Sequence, residues 1–319
     1  MFIGNDGLRA GWSLLIFFGF FALLILYLVV IGHGFPLRSS GRAIPAGQIS
    51  IPPYYLMLEA FPFLATVFIT WIMSRIEQRP NSVYGLGGAR KLQRFLAGLG
   101  WGVVCLSLLI LTLWATGFLV IDRRMLFGGE IFHYGAIWLG AFLMVGLLEE
   151  YLSRGFIQYT LTRGFAGFYR WAFKTRHSVA LGFWTAAAIV SILFGLSHSH
   201  NMGESPIGLL SAGTISVVFC LSLWRTGSLW WAIGFHTAWD WAQSFLYGVP
   251  DSGFMVQHKL LATYAIGNPI LSGGATGPEG SVFVVIPVAL TLLIIVSTLP
   301  STRYGAKPER PDQSDSGRA

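Results

Sequence analysis

Charge is what this sequence has least of. Of its 319 residues, 11% are Asp, Glu, Lys or Arg, while 54% are hydrophobic and the mean hydropathy is +0.63. An ordinary soluble domain carries roughly 25% charged residues, so a soluble globular protein is excluded. Cysteine is nearly absent as well. Cys105 and Cys220 both fall in apolar runs and read as packing residues, which rules out a disulfide framework or a thiolate zinc cluster. There is no internal repeat, and that argues against a transporter, the third functional class that buried Glu, Arg and His would suit. An HExxH helix is missing too. The net charge of +7 is spread along the loops and forms no nucleic-acid patch.

Long apolar runs are what the sequence has instead. A membrane helix needs about 20 mostly apolar residues. That rule predicts eight spans, near 11–32, 54–74, 95–121, 132–160, 178–200, 206–224, 228–247 and 281–300. The fold class expected is all-α, a polytopic membrane helix bundle with about eight transmembrane helices. The first run is too long for a signal-peptide core and is read as retained. With the N-terminus inside, 15 of the 21 Lys and Arg lie on inner segments, 5 on outer loops, and Arg154 within a span. Such a bias predicts both termini in the cytoplasm, in a cell membrane taken to be a bacterial cytoplasmic membrane. Residues 1–300 are read as a single transmembrane domain and 301–319 as a disordered polar tail. Residues 33–53 read as an outer loop. Glu77–Arg94 reads either as an interfacial helix or as a positive-inside loop. Within the Gly/Pro-rich stretch 248–280, the apolar centre Phe254–Ile266 is too short to span and reads as a re-entrant or interfacial piece.

Six polar or ionisable residues between positions 148 and 240 stand in these apolar surroundings: Glu149, Glu150, Arg154, His198, His236 and Asp240. Charges are costly in lipid, so each is a functional candidate. Helical neighbours point about 100° apart, hence the two glutamates do not share a face. Glu150 and Arg154, spaced i,i+4, do share one and read as a neutralising ion pair. Glu149 has no partner in its own helix, and a carboxylate in an apolar site suits a general base or acid. His198 closes the fifth run in Phe194-Gly195-Leu196-Ser197-His198; alone it reads as a structural residue, with His200 solvated. His236 and Asp240 share a face, and Asp240 either orients a working imidazole or merely ties helices together.

The order EExxxR, FxxxH, then HxxxD, each in its own apolar segment, resembles the CAAX-protease and bacteriocin-processing (CPBP, Abi, Rce1-like) family of intramembrane proteases. The resemblance covers about residues 140–245, and the Gly85-Leu86-Gly87 loop before a long span looks like the family's lead-in. It implies an intramembrane endopeptidase acting on a membrane protein or peptide, a prenylated CaaX protein being the weaker choice. Glu149 and His198 would activate a water, His236 and Asp240 would hold the oxyanion, and Glu150 and Arg154 would support the site. No cofactor is implied outright. A zinc-dependent variant stays open, in which Glu149, His198 and His236 are ligands and water takes the fourth position. Family members associated with bacteriocin immunity supply the alternative of a non-catalytic binding protein on the same scaffold.

Three features depart from the family pattern. Asp240 stands where Asn is common, and an ionised Asp can only accept, so His236 is expected to be the oxyanion donor with Asp240 orienting it. Ser153 stands where an aromatic is common. The gap from Glu149 to His198 is long, with the excess near 161–177, an insertion expected to bear on substrate access. A simple register also puts Glu149 in the inner half of its span and His198 near the outer end of the next.

Overall fold

The computed structural model describes residues 3–4, 7–31, 49–51, 58–201, 203–301 and 304. The predicted outer loop is thus outside the described residues except for Ile49–Ile51, and so is the tail beyond Ser301 except for Tyr304. Helices dominate: α1 (Ala10–Ile31), α2 (Ala60–Ile76), α3 (Lys91–Ala115), α4 (Gly129–Glu150), α5 (Gln158–Phe173), α6 (Ser178–Ser197), α7 (Pro206–Thr226), α8 (Trp230–Trp241) and α9 (Val285–Thr298). A π-helical turn, Tyr151–Ile157, joins α4 to α5 without a break. Three two-stranded sheets accompany them, formed by β1 (Ile3–Gly4) with β2 (Gly7–Leu8), β3 (Ile49–Ile51) with β5 (Phe254–Val256), and β4 (Leu119–Arg124) with β6 (Leu261–Ala265).

Among the described residues, five helices are long and apolar enough to cross a membrane: Ala10–Tyr27, Lys91–Ala115, Gly129–Phe173, Ser178–His200 and Pro206–Thr226. Two further predicted spans are shorter apolar helices, Ala60–Ile76 and Val282–Thr298. The run at 228–247 is α8 prolonged by a second π-helical turn, Ala242–Leu246. These helices form a multi-pass membrane protein.

Four of these segments gain definition. The run at 95–121 stops being helical at Ala115, because Gly117 takes φ +80° and the Phe118 amide turns back to the Leu113 carbonyl, a glycine-terminated helix end. Glu77–Arg94 forms no interfacial helix; Pro80 and the left-handed Gly85 bound a single 3-10 turn, Asn81–Tyr84, and α3 starts only at Lys91. The centre of 248–280, read as a re-entrant or interfacial piece, forms strands. Its Phe254–Val256 pairs parallel with Ile49–Ile51, and its Leu261–Ala265 pairs antiparallel with Leu119–Arg124. Finally, the 161–177 insertion extends a helix: Gly129–Phe173 runs 45 residues.

α8 lies at the centre, packed against α3, α4 and α7. Trp231, Ile233, Phe235 and Ala238 are all buried, so the helix has no lipid face. Helices in lipid gain little from apolar burial against one another and associate through close packing. Here glycines supply that approach from both partners: a methyl on Gly98 would overlap the Trp231 carbonyl, one on Gly102 the Phe235 carbonyl, and one on Gly234 the Phe95 carbonyl. The start of α8 is fixed by the Gly85–Gly87 loop, whose carbonyls accept from Leu229 N (2.9 Å), Trp230 Nε1 (3.1 Å) and Ser228 Oγ (3.2 Å).

Candidate active site

The two glutamates at the end of α4 diverge as the 100° step demands. The Glu150 side chain is fully buried, whereas that of Glu149 is 33% exposed and lines a cavity. Arg154 Nη1 donates to Glu150 Oε1 at 2.7 Å, and its guanidinium lies 4.3 Å from the centre of the Phe194 ring. The cation is thus neutralised by one carboxylate and covered by an aromatic face. A π-helical turn starts directly after the acidic pair, and another follows Asp240 one residue beyond Trp241. Wide turns of this kind are frequent at functional sites.

His236 approaches from α8. Its Nδ1 is 3.0 Å from Glu150 Oε1, while Nε2 faces Asp240 Oδ2 at 3.5 Å and Glu149 Oε2 at 3.7 Å. Because ionised Glu150 can only accept, the Nδ1 proton is the one committed. Glu150, not Asp240, therefore makes the hydrogen bond that orients the ring. The expectation of an orienting Asp240 came from i,i+4 spacing alone and could not foresee a carboxylate arriving from another helix. A Nε2–H is present only when the imidazole carries both protons, and two carboxylates, Asp240 and Glu149, face that position.

His198 reaches the same cavity from the end of α6. Its Nδ1 is 2.8 Å from the Phe194 carbonyl, which accepts only, so Nδ1 donates and Nε2 is an acceptor. The mismatch in depth disappears once the insertion is helical. Gly182 of α6 packs against the Thr162 carbonyl and Ala166 of α5. The two helices run antiparallel with equal rise, so about sixteen residues on from Gly182 His198 comes level with the turn holding Glu149 and Glu150. His200 is exposed, as expected of a solvated residue.

Glu149, His198, His236 and Asp240 all line this one cavity of about 460 Å³. Phe219, Phe235 and Trp239 form an apolar side. Two acidic residues from the 248–280 segment that the sequence did not single out also line it, Asp251 and Glu279. Ser244 Oγ donates to Asp251 Oδ2 (3.2 Å), the Ser252 amide donates to Glu279 Oε1 (2.6 Å), and Gln243 Nε2 donates to Glu279 Oε2. Burial pushes the Asp251 carboxyl up to about 6, with the Ser244 hydrogen bond and the nearby imidazoles opposing and Glu149 adding. Burial first, then the charge of Asp251, holds the Glu279 carboxyl well above its ordinary range. One sequence signal could have found them, since they are the only acidic residues between Asp240 and Glu309.

Among the described residues, no group of three or more His, Cys, Asp or Glu is arranged to hold a metal ion. The imidazoles of His198 and His236 make carbonyl and carboxylate contacts at Nδ1 and keep Nε2 open to the cavity; no step below passes through a metal.

Residues 131–242 match the family described as type II CAAX prenyl endopeptidase Rce1-like. No curated protein and no solved structure gives a match to the chain. The matched segment contains Glu149, Glu150, Arg154, His198, His236 and Asp240 together, and stops short of Asp251 and Glu279. Over residues 131–242 the chain is thus similar to the Rce1-like (CPBP) family of membrane proteases.

Proposed function

We propose that the cavity is the active site of an intramembrane endopeptidase that uses Glu149 as its base. Water held between Glu149 and His198 gives a proton to one of them while its oxygen attacks the peptide carbonyl carbon. The carbonyl π electrons move onto oxygen, and His236 Nε2–H donates to the oxyanion that forms. Collapse of the tetrahedral intermediate expels the amine, which takes up the proton from Glu149 or His198. Preorganised donors in a water-poor site are worth ~3–4 kcal/mol each. Asp240 and Glu150 supply the counter-charge for doubly protonated His236. The observation that carries this reading is the commitment of both Nδ1 atoms, to the Phe194 carbonyl and to Glu150, which reserves both Nε2 atoms of a shared cavity for the reaction. The substrate is a membrane-embedded protein or peptide.

The test is cleavage of a quenched transmembrane-peptide library by purified protein in liposomes. Wild type is expected to cleave, chelator to have no effect, and Glu149→Ala to lower the rate by about 10²–10⁴-fold. Full activity of Glu149→Ala would sink the proposal. Chelator sensitivity would move the chemistry to a metal, and a folded but inactive wild type would favour a binding or immunity role.

A further inference from the structure

Five carboxylates line the cavity, those of Glu59, Glu149, Asp240, Asp251 and Glu279, and among the described residues no Lys or Arg lines it. The imidazoles of His198 and His236 already give Nδ1 to Phe194 and Glu150. Two cations of the surrounding chain are engaged elsewhere. Arg154 is paired with Glu150 and covered by the Phe194 ring. Lys259, the only Lys or Arg between Arg225 and Arg303, donates from Nζ to the Gly248 carbonyl at 2.8 Å. Negative charge held in a water-poor site without a cation is unfavourable, so this lining favours a positively charged occupant.

The reaction proposed above uses Glu149 and Asp240 and leaves Asp251 and Glu279 without a task. Both are nonetheless held in place. The Ser252 amide, next in the chain to Asp251, donates to Glu279 Oε1 at 2.6 Å and so sets the two carboxyls side by side. Ser244 Oγ engages Asp251 Oδ2 at 3.2 Å, while Oδ1 has no hydrogen bond among the described residues. With its value at about 6, Asp251 is ionised at neutral pH. Asp240 gives a separate indication. Its side chain is only 10% exposed, lines the cavity and accepts no hydrogen bond among the described residues, and His236 Nε2 stands 3.5 Å away. A buried carboxylate of this kind lacks a donor, and a cationic group entering the cavity supplies one. Much of the remaining lining is apolar, including Ile215, Phe219, Trp239, Val284 and Val288. Lys and Arg lay their aliphatic stems on such surfaces and carry the charge to polar partners beyond.

We infer that Asp251 and Glu279 are specificity residues, which bind the side chain of a substrate Lys or Arg next to the bond that is cut. This rests on the reading of the cavity as a peptidase site and narrows its substrates to membrane peptides with a basic residue in the cleavage region. At about 460 Å³ the cavity falls in the roughly 300–1,000 Å³ range of small-ligand sites. It therefore takes the residues around one bond, with their side chains, and not a whole helix.

The test uses the full-length protein in liposomes and quenched transmembrane peptides that differ only in the residue beside the cleaved bond, Lys, Arg, Met or Glu. Wild type is expected to cleave the Lys and Arg peptides about 30-fold faster than the Met peptide, and the Glu peptide most slowly. Asp251→Asn and Glu279→Gln, made separately so that one poorly folding variant does not decide the matter, should each lower the Lys-to-Met rate ratio about tenfold. Asp122→Asn, an exposed carboxylate on β4, should leave that ratio as it is. Equal rates for the Lys and Met peptides in wild type would overturn the inference and leave the peptidase reading standing. An equal fall of the ratio in Asp122→Asn would overturn it too, by showing a general charge effect. Binding of the same peptides to Glu149→Ala protein separates the two claims. Lys-selective binding that is lost when Asp251→Asn is added would uphold the inference even if wild type cleaved nothing, whereas binding indifferent to the residue would overturn it. Selectivity that vanishes in chelator would assign the carboxylates to a metal ion and overturn it as well.

Discussion

The cavity has two acidic walls that are built differently. On the helical wall, Glu149, Glu150, His236 and Asp240 come from α4 and α8. Their contacts are made side chain to side chain, and the Glu150–Arg154 pair is wholly buried. On the loop wall, Asp251 and Glu279 sit outside the long helices and are held by Ser244, Gln243 and the Ser252 amide. The helical wall positions its groups by a rigid periodic scaffold that cannot relax around a lost partner. The loop wall positions them by hydrogen bonds to ionised or neutral carboxyls alike, and so tolerates a change of charge. Reactive groups belong on the first kind of wall, where geometry is held, and titrating groups are accommodated on the second.

Removing charge from each wall in turn tests that contrast. Arg154→Leu should have the largest effect on stability. It strips the cation from a fully buried carboxylate and should cost about 3–5 kcal/mol, read as a fall in thermal midpoint in detergent together with loss of cleavage. A drop no greater than that of a loop-wall variant would erase the distinction.

Asp251→Asn should act in the opposite direction and depend on pH. The folded-state value of about 6 lies above the ordinary 3.8, so the folded protein holds this proton more tightly than the unfolded chain. The stability it contributes is complete below about pH 4 and is lost as pH rises through about 6. The variant should therefore be more stable than wild type at pH 7.5, by about 1–3 kcal/mol, with the gap closing below pH 4. Equal thermal midpoints at both pH values would show that Asp251 is not held in a desolvated site.

The smallest effect is expected for Asp240→Asn. An amide there can itself donate toward an oxyanion, so cleavage should stay within about tenfold of wild type. Asp240→Ala should lose more than the amide variant. If Asn proves as damaging as Ala, the carboxylate is needed for its charge beside His236.

Where the sequence was legible, the relevant geometry lay within single helices. The apolar runs, the pairing of Glu150 with Arg154, the common face of His236 and Asp240 and the divergence of Glu149 from Glu150 all follow from 3.6-residue periodicity and the cost of charge in lipid. The partner of His236 Nδ1 was not legible, because it depends on how α4 crosses α8. That crossing is made where Gly146 faces Thr237, while Gly98, Gly102 and Gly234 set the approach of α3 to the other side of α8. Nor could spacing reveal that 161–177 continues a helix and so brings His198 level with Glu149. The sequence by itself determined which groups would be costly to bury and which neighbours in one helix would meet. Only the tertiary structure decided which helices share a cavity, and that Asp251 and Glu279 form its other wall, because contacts between distant segments have no period to be read.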